Sequence, residues 1–279
     1  VGGKTMAEED EEEEAAEEEV MEEKLKCALV VPGPLGDRSF SDSAARGIET
    51  ANATLPVDCD IIETTGVPEH ETAVRSAVAE GYELVLTLAL DQEMVLAVAK
   101  EYPEVKFSNP SSVWNLEIVP NISTYLIEVH ESSFLVGLIA GHMTDTKKVG
   151  AVVGGDNPGM NQFTYGFEHG VAEACPDCEV FVGYLGFDFN NPTLGLETAL
   201  GIYDQGADIV FQVAGRSGEG VLEASAQRGL YSIGVDSNQD WVQPGSVIVS
   251  MIKRVDLAVL AGIESVLDGT FEGGTYVVG

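Results

Sequence analysis

The chain has 279 residues, 44% of them hydrophobic, and carries Asp+Glu 47 against Lys+Arg 14 for a net charge of -33. That length and apolar content support two domains with full cores. The charge excludes nucleic acid and anionic membrane surfaces as partners, and no apolar run is long enough to span a membrane.

The first 26 residues hold 12 acids and 3 bases, with acids unbroken from Glu8 to Glu14. Like charges at i,i+4 repel, so residues 1–26 read as an acidic low-complexity tail or linker. Order in such a segment would require packing against a neighbouring copy, or cations. This leaves open a second reading of the whole chain, a binding fold reused as a structural subunit of an extracellular assembly or filament through its tail. The chain opens Val1-Gly2-Gly3 without an initiator Met, which reads as a processed start.

Ala28 to Val31 is the first strand, and Pro32-Gly33-Pro34-Leu35-Gly36 is the loop that ends it. A helix follows from Ser43 to about Ala53. Ile61–Thr64 is a strand, Glu69–Glu80 a helix, Leu84–Thr87 a buried strand and Asp91–Glu101 a helix. Lys106–Ser108 and Ile122–Val129 are further strands, before an apolar-rich helix from Glu131 to Thr144. The pattern then restarts: strand Val149–Val153, helix Asn161–Cys175, strand Val180–Leu185 and helix Leu194–Gln205. Ile209–Val213, Gly215 to Gly220, the helical spacing around Val221–Ala226 and Tyr231–Val235 form a strand, glycine turn, helix, strand unit. Val247–Met251 is a strand and Lys253–Leu267 a helix. Two successive strand-helix series, before and after about residue 128, mean two doubly wound lobes.

Cys27 and Cys59 each open an apolar run. On neighbouring parallel strands their sulfurs would meet, so a disulfide is geometrically reasonable. Cys175-Pro-Asp-Cys178 could be a redox pair or half a zinc site, but no second CxxC follows and the nearest imidazole is His169. A local disulfide is the preferred reading. Two pairs with no odd thiol suggest an oxidising, extracellular setting. Asn52-Ala-Thr54 and Asn121-Ile-Ser123 fit the glycosylation triplet.

Ligands of open parallel sheets bind outside the carboxyl ends of the strands, and most loops there carry polar or aromatic residues. Phe40 and Phe189 either fold back on the core or offer a face to a planar ligand. Asp91 is either a helix N-cap or a ligand acceptor, and Asp236 either an Asx-turn or an acceptor. Lys253 opens a helix as a surface ion pair or a ligand donor. Gly215-Arg-Ser-Gly-Glu-Gly220 has the glycine density of a phosphate cradle without the spacing or Lys-Ser/Thr of a P-loop. It reads as backbone N–H groups near a neutral, hydroxyl-rich ligand. Catalytic arrangements are poor: the chain has four histidines, and of these His130 alone follows a strand-like run, with no evident nucleophile beside it. No Gly-x-Ser-x-Gly or HExxH appears. The chain reads as a binding protein, not an enzyme, and its sequence implies no cofactor or metal.

Several stretches, taken together and in order, resemble one family. They are Gly36-Asp-Arg-Ser-Phe-Ser, Tyr102-Pro-Glu-Val-Lys-Phe, Glu131-Ser-Ser-Phe-Leu-Val-Gly-Leu-Ile-Ala-Gly, Val149-Gly-Ala-Val-Val-Gly-Gly, Gly206-Ala-Asp-Ile-Val-Phe, Gly234-Val-Asp-Ser-Asn-Gln and Ser250-Met-Ile-Lys-Arg-Val-Asp. They are similar to the basic-membrane-protein, PnrA-like family of ABC-transporter substrate-binding proteins, over nearly all of Lys26 to Gly279. The resemblance implies an α/β type I periplasmic-binding-protein fold, with two Rossmann-like lobes, a hinge and a central cleft. It implies a lobe of residues 27–128 plus about 248–270, and a second of 129–247 plus about 271–279. Crossings between lobes are expected near Val129 and Val247. It implies a purine nucleoside as ligand, a membrane permease as partner, and an extracellular or cell-surface home, lipid-anchored or secreted. The family's ligand residues match Phe40, Asp91, Phe189, Gly215, Gly218, Asp236 and Lys253. Ser41 stands where the family usually has Asn after the first Phe.

Overall fold

The structure is a computed structural model that describes residues 24–111 and 114–278. The acidic tail therefore lies outside the described residues, apart from its last three. In the first half, strands β1 (Leu25–Val31), β2 (Val57–Glu63), β3 (Leu84–Thr87), β4 (Lys106–Pro110) and β5 (Ile122–Ile127) are separated by helices α1 (Phe40–Thr54), α2 (Val67–Ala79) and α3 (Gln92–Glu101). Then come α4 (Val129–Met143), β6 (Lys148–Val153), α5 (Pro158–Ala174), β7 (Glu179–Tyr184), α6 (Pro192–Asp204), β8 (Ile209–Val213), α7 (Gly218–Arg228), β9 (Tyr231–Asp236) and β10 (Val247–Ile252). The last described elements are α8 (Val255–Leu267) and β11 (Gly274–Val278).

The strands form two parallel sheets, in the orders β11-β5-β4-β3-β1-β2 and β10-β9-β8-β6-β7. The most apolar runs of the sequence are the inner strands β1, β3, β6 and β8, buried on both faces as parallel sheets require, while the edge strands β2, β7 and β11 are partly exposed. Alternate residues of each strand feed opposite layers. Leu84 and Leu86 join the cluster holding Ile48 and Val259 of α1 and α8. Val85 joins the cluster holding Val74, Val95 and Val98 of α2 and α3. In the second lobe, Phe167 and Phe211 pack under α4 and α5, and Val210 and Val221 under α6 and α7.

Cys27 and Cys59 stand opposite one another in the β1–β2 register and are disulfide-bonded. Cys175 and Cys178 are bonded to each other at the end of α5. Both pairings agree with the sequence reading.

The lobe boundaries differ from those expected. β10 belongs to the second sheet, so the chain returns to the first lobe between Ile252 and Val255, not at 248. The expectation that 271–279 belongs to the second lobe fails, because β11 pairs with β5, from Gly274 opposite Ser123 to Val278 opposite Ile127. α8 packs against α1, which brings its end to the open edge of the first sheet. Tyr276 then stacks on Tyr125, with ring centroids 5.6 Å apart.

Asn121 also departs from expectation. It is buried, and its Nδ2 donates towards the carbonyls of Ala99, Tyr102 and Val105 at 2.9, 3.1 and 3.0 Å. The amide that glycosylation would need thus closes the end of α3 onto β4. Asn121→Ala should strand these carbonyls and cost about 2 kcal/mol in denaturant unfolding, with no change in glycan mass.

Candidate functional site

The site grows from the carboxyl ends of β1, β9 and β10. Asp37, in the loop after β1, accepts from the backbone N–H groups of Ser39, Ser41 and Asp42 at 2.9, 2.8 and 3.1 Å. It thereby caps α1. Asp42 in turn accepts from the N–H groups of Gly36 and Arg38 at 2.7 and 2.8 Å. Two carboxylates thus fold this loop on itself and carry Ser39 and Phe40 towards the second lobe. Ser41 is buried beneath the loop.

β9 ends at Asp236, whose φ is +63°, and the N–H of Ser237 reaches back to the carbonyl of Val235 at 2.7 Å. This is a tight three-residue turn of the strained hand. Ser39 Oγ donates to Asp236 Oδ2 at 2.5 Å across the lobes. Lys253 follows β10, its N–H donating to the Asp236 carbonyl at 3.0 Å. Its ammonium lies over Phe40 at 5.0 Å and over Phe163 at 5.4 Å. Burial pushes the Asp236 carboxyl up from its ordinary range, against the pull of Lys253 and Ser39. Burial pushes Lys253 down, against the pull of Asp236. The structure therefore brings Phe40, Asp236 and Lys253 together from both lobes.

The other sequence candidates are placed differently. Phe189 lies in the second lobe with its ring over Gly154, where any side chain would collide with it. Gly215, with φ +54°, comes close behind Phe189. Gly218 is packed against the side chain of Gln212 and so makes room for a protein neighbour. Asp91 is the N-cap of α3, its Oδ1 accepting from the N–H of Met94 at 2.8 Å.

Gln239 is the residue that sequence reasoning missed. Its Oε1 accepts from Gln212 Nε2 at 2.6 Å and from the N–H of Val235 at 2.9 Å. Its Nε2 donates to the Arg38 carbonyl at 3.1 Å, across the lobes. The sequence signal was present in Gly234-Val-Asp-Ser-Asn-Gln: a long amide after a strand-end turn. Nearby, Arg46 donates to Ser237 Oγ at 2.9 Å, and Arg38 pairs with Glu219 at 3.6 Å while lying over Trp241. These contacts hold the lobes together along one flank.

Beside Lys253 the lobes enclose a cavity of about 340 Å³, within the size range of small-molecule sites. Its polar lining is Gln92, Ser111, Asn115, Asn157, Gln162 and Lys253, beside apolar Ile127, Met160 and Phe163, and no carboxylate of the described residues lines it. Ala89 and Ser111 in the cavity wall, and Arg38, Phe187 and Asp236 in or before loops at the carboxyl ends of other strands, all have positive φ. Non-glycine residues adopt that conformation at a cost of about 1–3 kcal/mol each, which the surrounding structure must hold.

A family model described as "Bmp: ABC transporter substrate-binding protein PnrA-like" matches residues 24–278. The chain belongs to this family. It is 28% identical over 257 residues to "Basic membrane protein A" of Borreliella afzelii, covering 90% of this chain and 78% of that protein. It is 29% identical over 276 residues to "ABC transporter nucleoside-binding protein BmpA" of Lactococcus lactis subsp. cremoris (strain MG1363), covering 91% and 78%. Among solved structures it is similar to an ABC transporter solute-binding protein of Aeropyrum pernix K1. That match has a TM-score of 0.83 and 33% identity, over 91% of this chain and 73% of the other. The fold is thus that of type I periplasmic binding proteins. Bmp-family proteins are substrate-binding components of ABC transporters, outside the cytoplasm or at the surface, and not enzymes. A membrane permease is the partner that such a component implies.

Proposed function

We propose that this Bmp-family protein binds a purine nucleoside between its lobes and delivers it to a membrane permease, working extracellularly or from a lipid anchor at the cell surface. The observation that carries the reading is the convergence of Phe40, Asp236 and Lys253, from both lobes, beside a cavity of ligand size. The nucleoside-binding relative from Lactococcus supports it. Lys253 donates to ligand acceptors from the cavity wall, and Asp236, which stands beside the cavity and not in its wall, accepts from ribose hydroxyls once the lobes close on the ligand. Phe40 and Phe189 stack on the base from opposite lobes, and Gly154 and Gly215 leave the Phe189 ring its place. The chain segments 127–129 and 252–255 form the hinge about which the lobes close.

Calorimetry with guanosine, adenosine and inosine tests the reading. Stacking is worth about 1–3 kcal/mol per base, so Phe189→Ala should weaken binding roughly tenfold to a hundredfold. An absence of heat with every nucleoside and free base would sink the assignment.

A further inference from the structure

The cavity beside Lys253 holds polar groups that the protein itself leaves unmet. Ser111 lines the cavity, and its Oγ has no hydrogen-bond partner among the described residues and is turned away from open space, so a rotation of the side chain is what brings it to a ligand. Its backbone is held at φ +67°, with its N–H donating to the Tyr125 carbonyl at 2.7 Å. Lys253 is 8% exposed, and its ammonium meets the rings of Phe40 and Phe163, while Asp236 attracts it without a direct salt bridge among the described residues. The side chain of Gln162, half-buried on α5, makes no hydrogen bond among the described residues. All three line the same cavity. Its neighbouring amides are in use: Asn157 Oδ1 accepts from the Met160 N–H at 2.9 Å, and Gln92 Oε1 from the Asn115 N–H at 3.3 Å.

A buried polar group left unpaired is costly, and a ligand that pairs with it recovers that cost. We infer that Ser111 and Gln162 are specificity-determining residues which, with Lys253, read the polar edge of the bound base. This rests on the nucleoside reading above. A lysine ammonium offers donors only, a glutamine amide offers both donors and an acceptor, and a serine hydroxyl can act as either. The edge facing Lys253 must therefore carry acceptors. A 6-oxopurine presents the acceptors O6 and N7 side by side, whereas adenine puts an amino donor beside N7. The cavity is selective for 6-oxopurine nucleosides over adenosine.

The test is calorimetry with inosine and adenosine on the wild type, Ser111→Ala and Gln162→Leu. Neither substitution removes a side-chain hydrogen bond among the described residues, so melting temperatures are expected to stay close to the wild-type value. The wild type is expected to bind inosine at least tenfold tighter than adenosine. Each substitution weakens inosine binding about tenfold and changes adenosine less, so the preference shrinks. Equal wild-type affinities, or variants that keep both the affinity and the preference, overturn the inference. If the wild type gives no heat with either nucleoside, thermal-shift screening of free purines, pentoses and hexoses follows. A hit weakened by both substitutions keeps these residues as the selectivity determinants while the nucleoside reading falls. No hit, or one that neither substitution weakens, overturns the inference as well.

Discussion

Lys253→Met is expected to abolish nucleoside binding and to lower stability by about 3 kcal/mol at neutral pH. The reason is burial. Asp236 and Lys253 are 6% and 8% exposed, and removing one charge of a buried pair leaves the other uncompensated. Ser39 still donates to Asp236, which keeps the cost at the low end of the usual range. The sign with pH follows from the directions of the shifts. Asp236 is raised by burial, so its stabilising contribution is complete below the ordinary Asp range and is lost as pH rises through its raised value. Lys253 is lowered, so its contribution is complete above the ordinary Lys range and is lost as pH falls through its lowered value. The attraction between the two groups opposes both shifts and offsets part of the desolvation. Acidifying Lys253→Met should therefore restore stability relative to wild type as Asp236 takes up a proton. Urea titrations at neutral and mildly acidic pH, with Asp236→Asn/Lys253→Met beside them, measure this. The double variant should regain most of the lost stability and none of the binding. A single variant as stable as wild type at neutral pH would show that the two charges are not coupled.

Gly137→Val is expected to cost about 3 kcal/mol or more and to loosen the cavity wall at the same time. A Cβ at Gly137 would collide with the Phe167 carbonyl oxygen, and Gly170 in turn faces the Phe134 carbonyl. α4 and α5 touch backbone to backbone, so no side chain can turn aside to make room. Packing errors in a dense core usually cost 1–3 kcal/mol, and contacts with fixed backbone lie at the upper end. The start of α5 supplies Met160, Gln162 and Phe163 to the cavity, so spreading the helices also moves its wall. Chemical denaturation gives the stability, and calorimetry on the folded fraction gives the affinity. A cost below about 1 kcal/mol would mean that the helix pair can separate freely.

Much of this was legible in the chain itself. Strand runs such as Leu84–Thr87 and Ile209–Val213 are buried apolar stretches bounded by turn residues, and that pattern is local. The Cys27–Cys59 link followed because both cysteines open such runs, and parallel neighbours place equivalent starts side by side. Asp91 and Asp236 could be placed at a helix start and a strand end, each with two competing roles. The fold then showed Asp91 capping α3 and Asp236 buried beneath Ser39.

What the sequence determined by itself was the alternation of strands and helices, the disulfide pairs and the loops that gather at the cleft. Each depends on neighbours a few residues apart or on a repeating period. The tertiary structure alone decided that β11 closes the first sheet, because Gly274–Val278 is an ordinary strand whose edge is chosen by where α8 comes to rest. It decided that Asn121 faces three carbonyls instead of solvent, and that Gly218 serves Gln212. It decided that Gln239 bridges the lobes and that Ser111 and Gln162 face one cavity. These facts depend on residues far apart in the chain coming within a hydrogen bond's length, and no local pattern carries that distance.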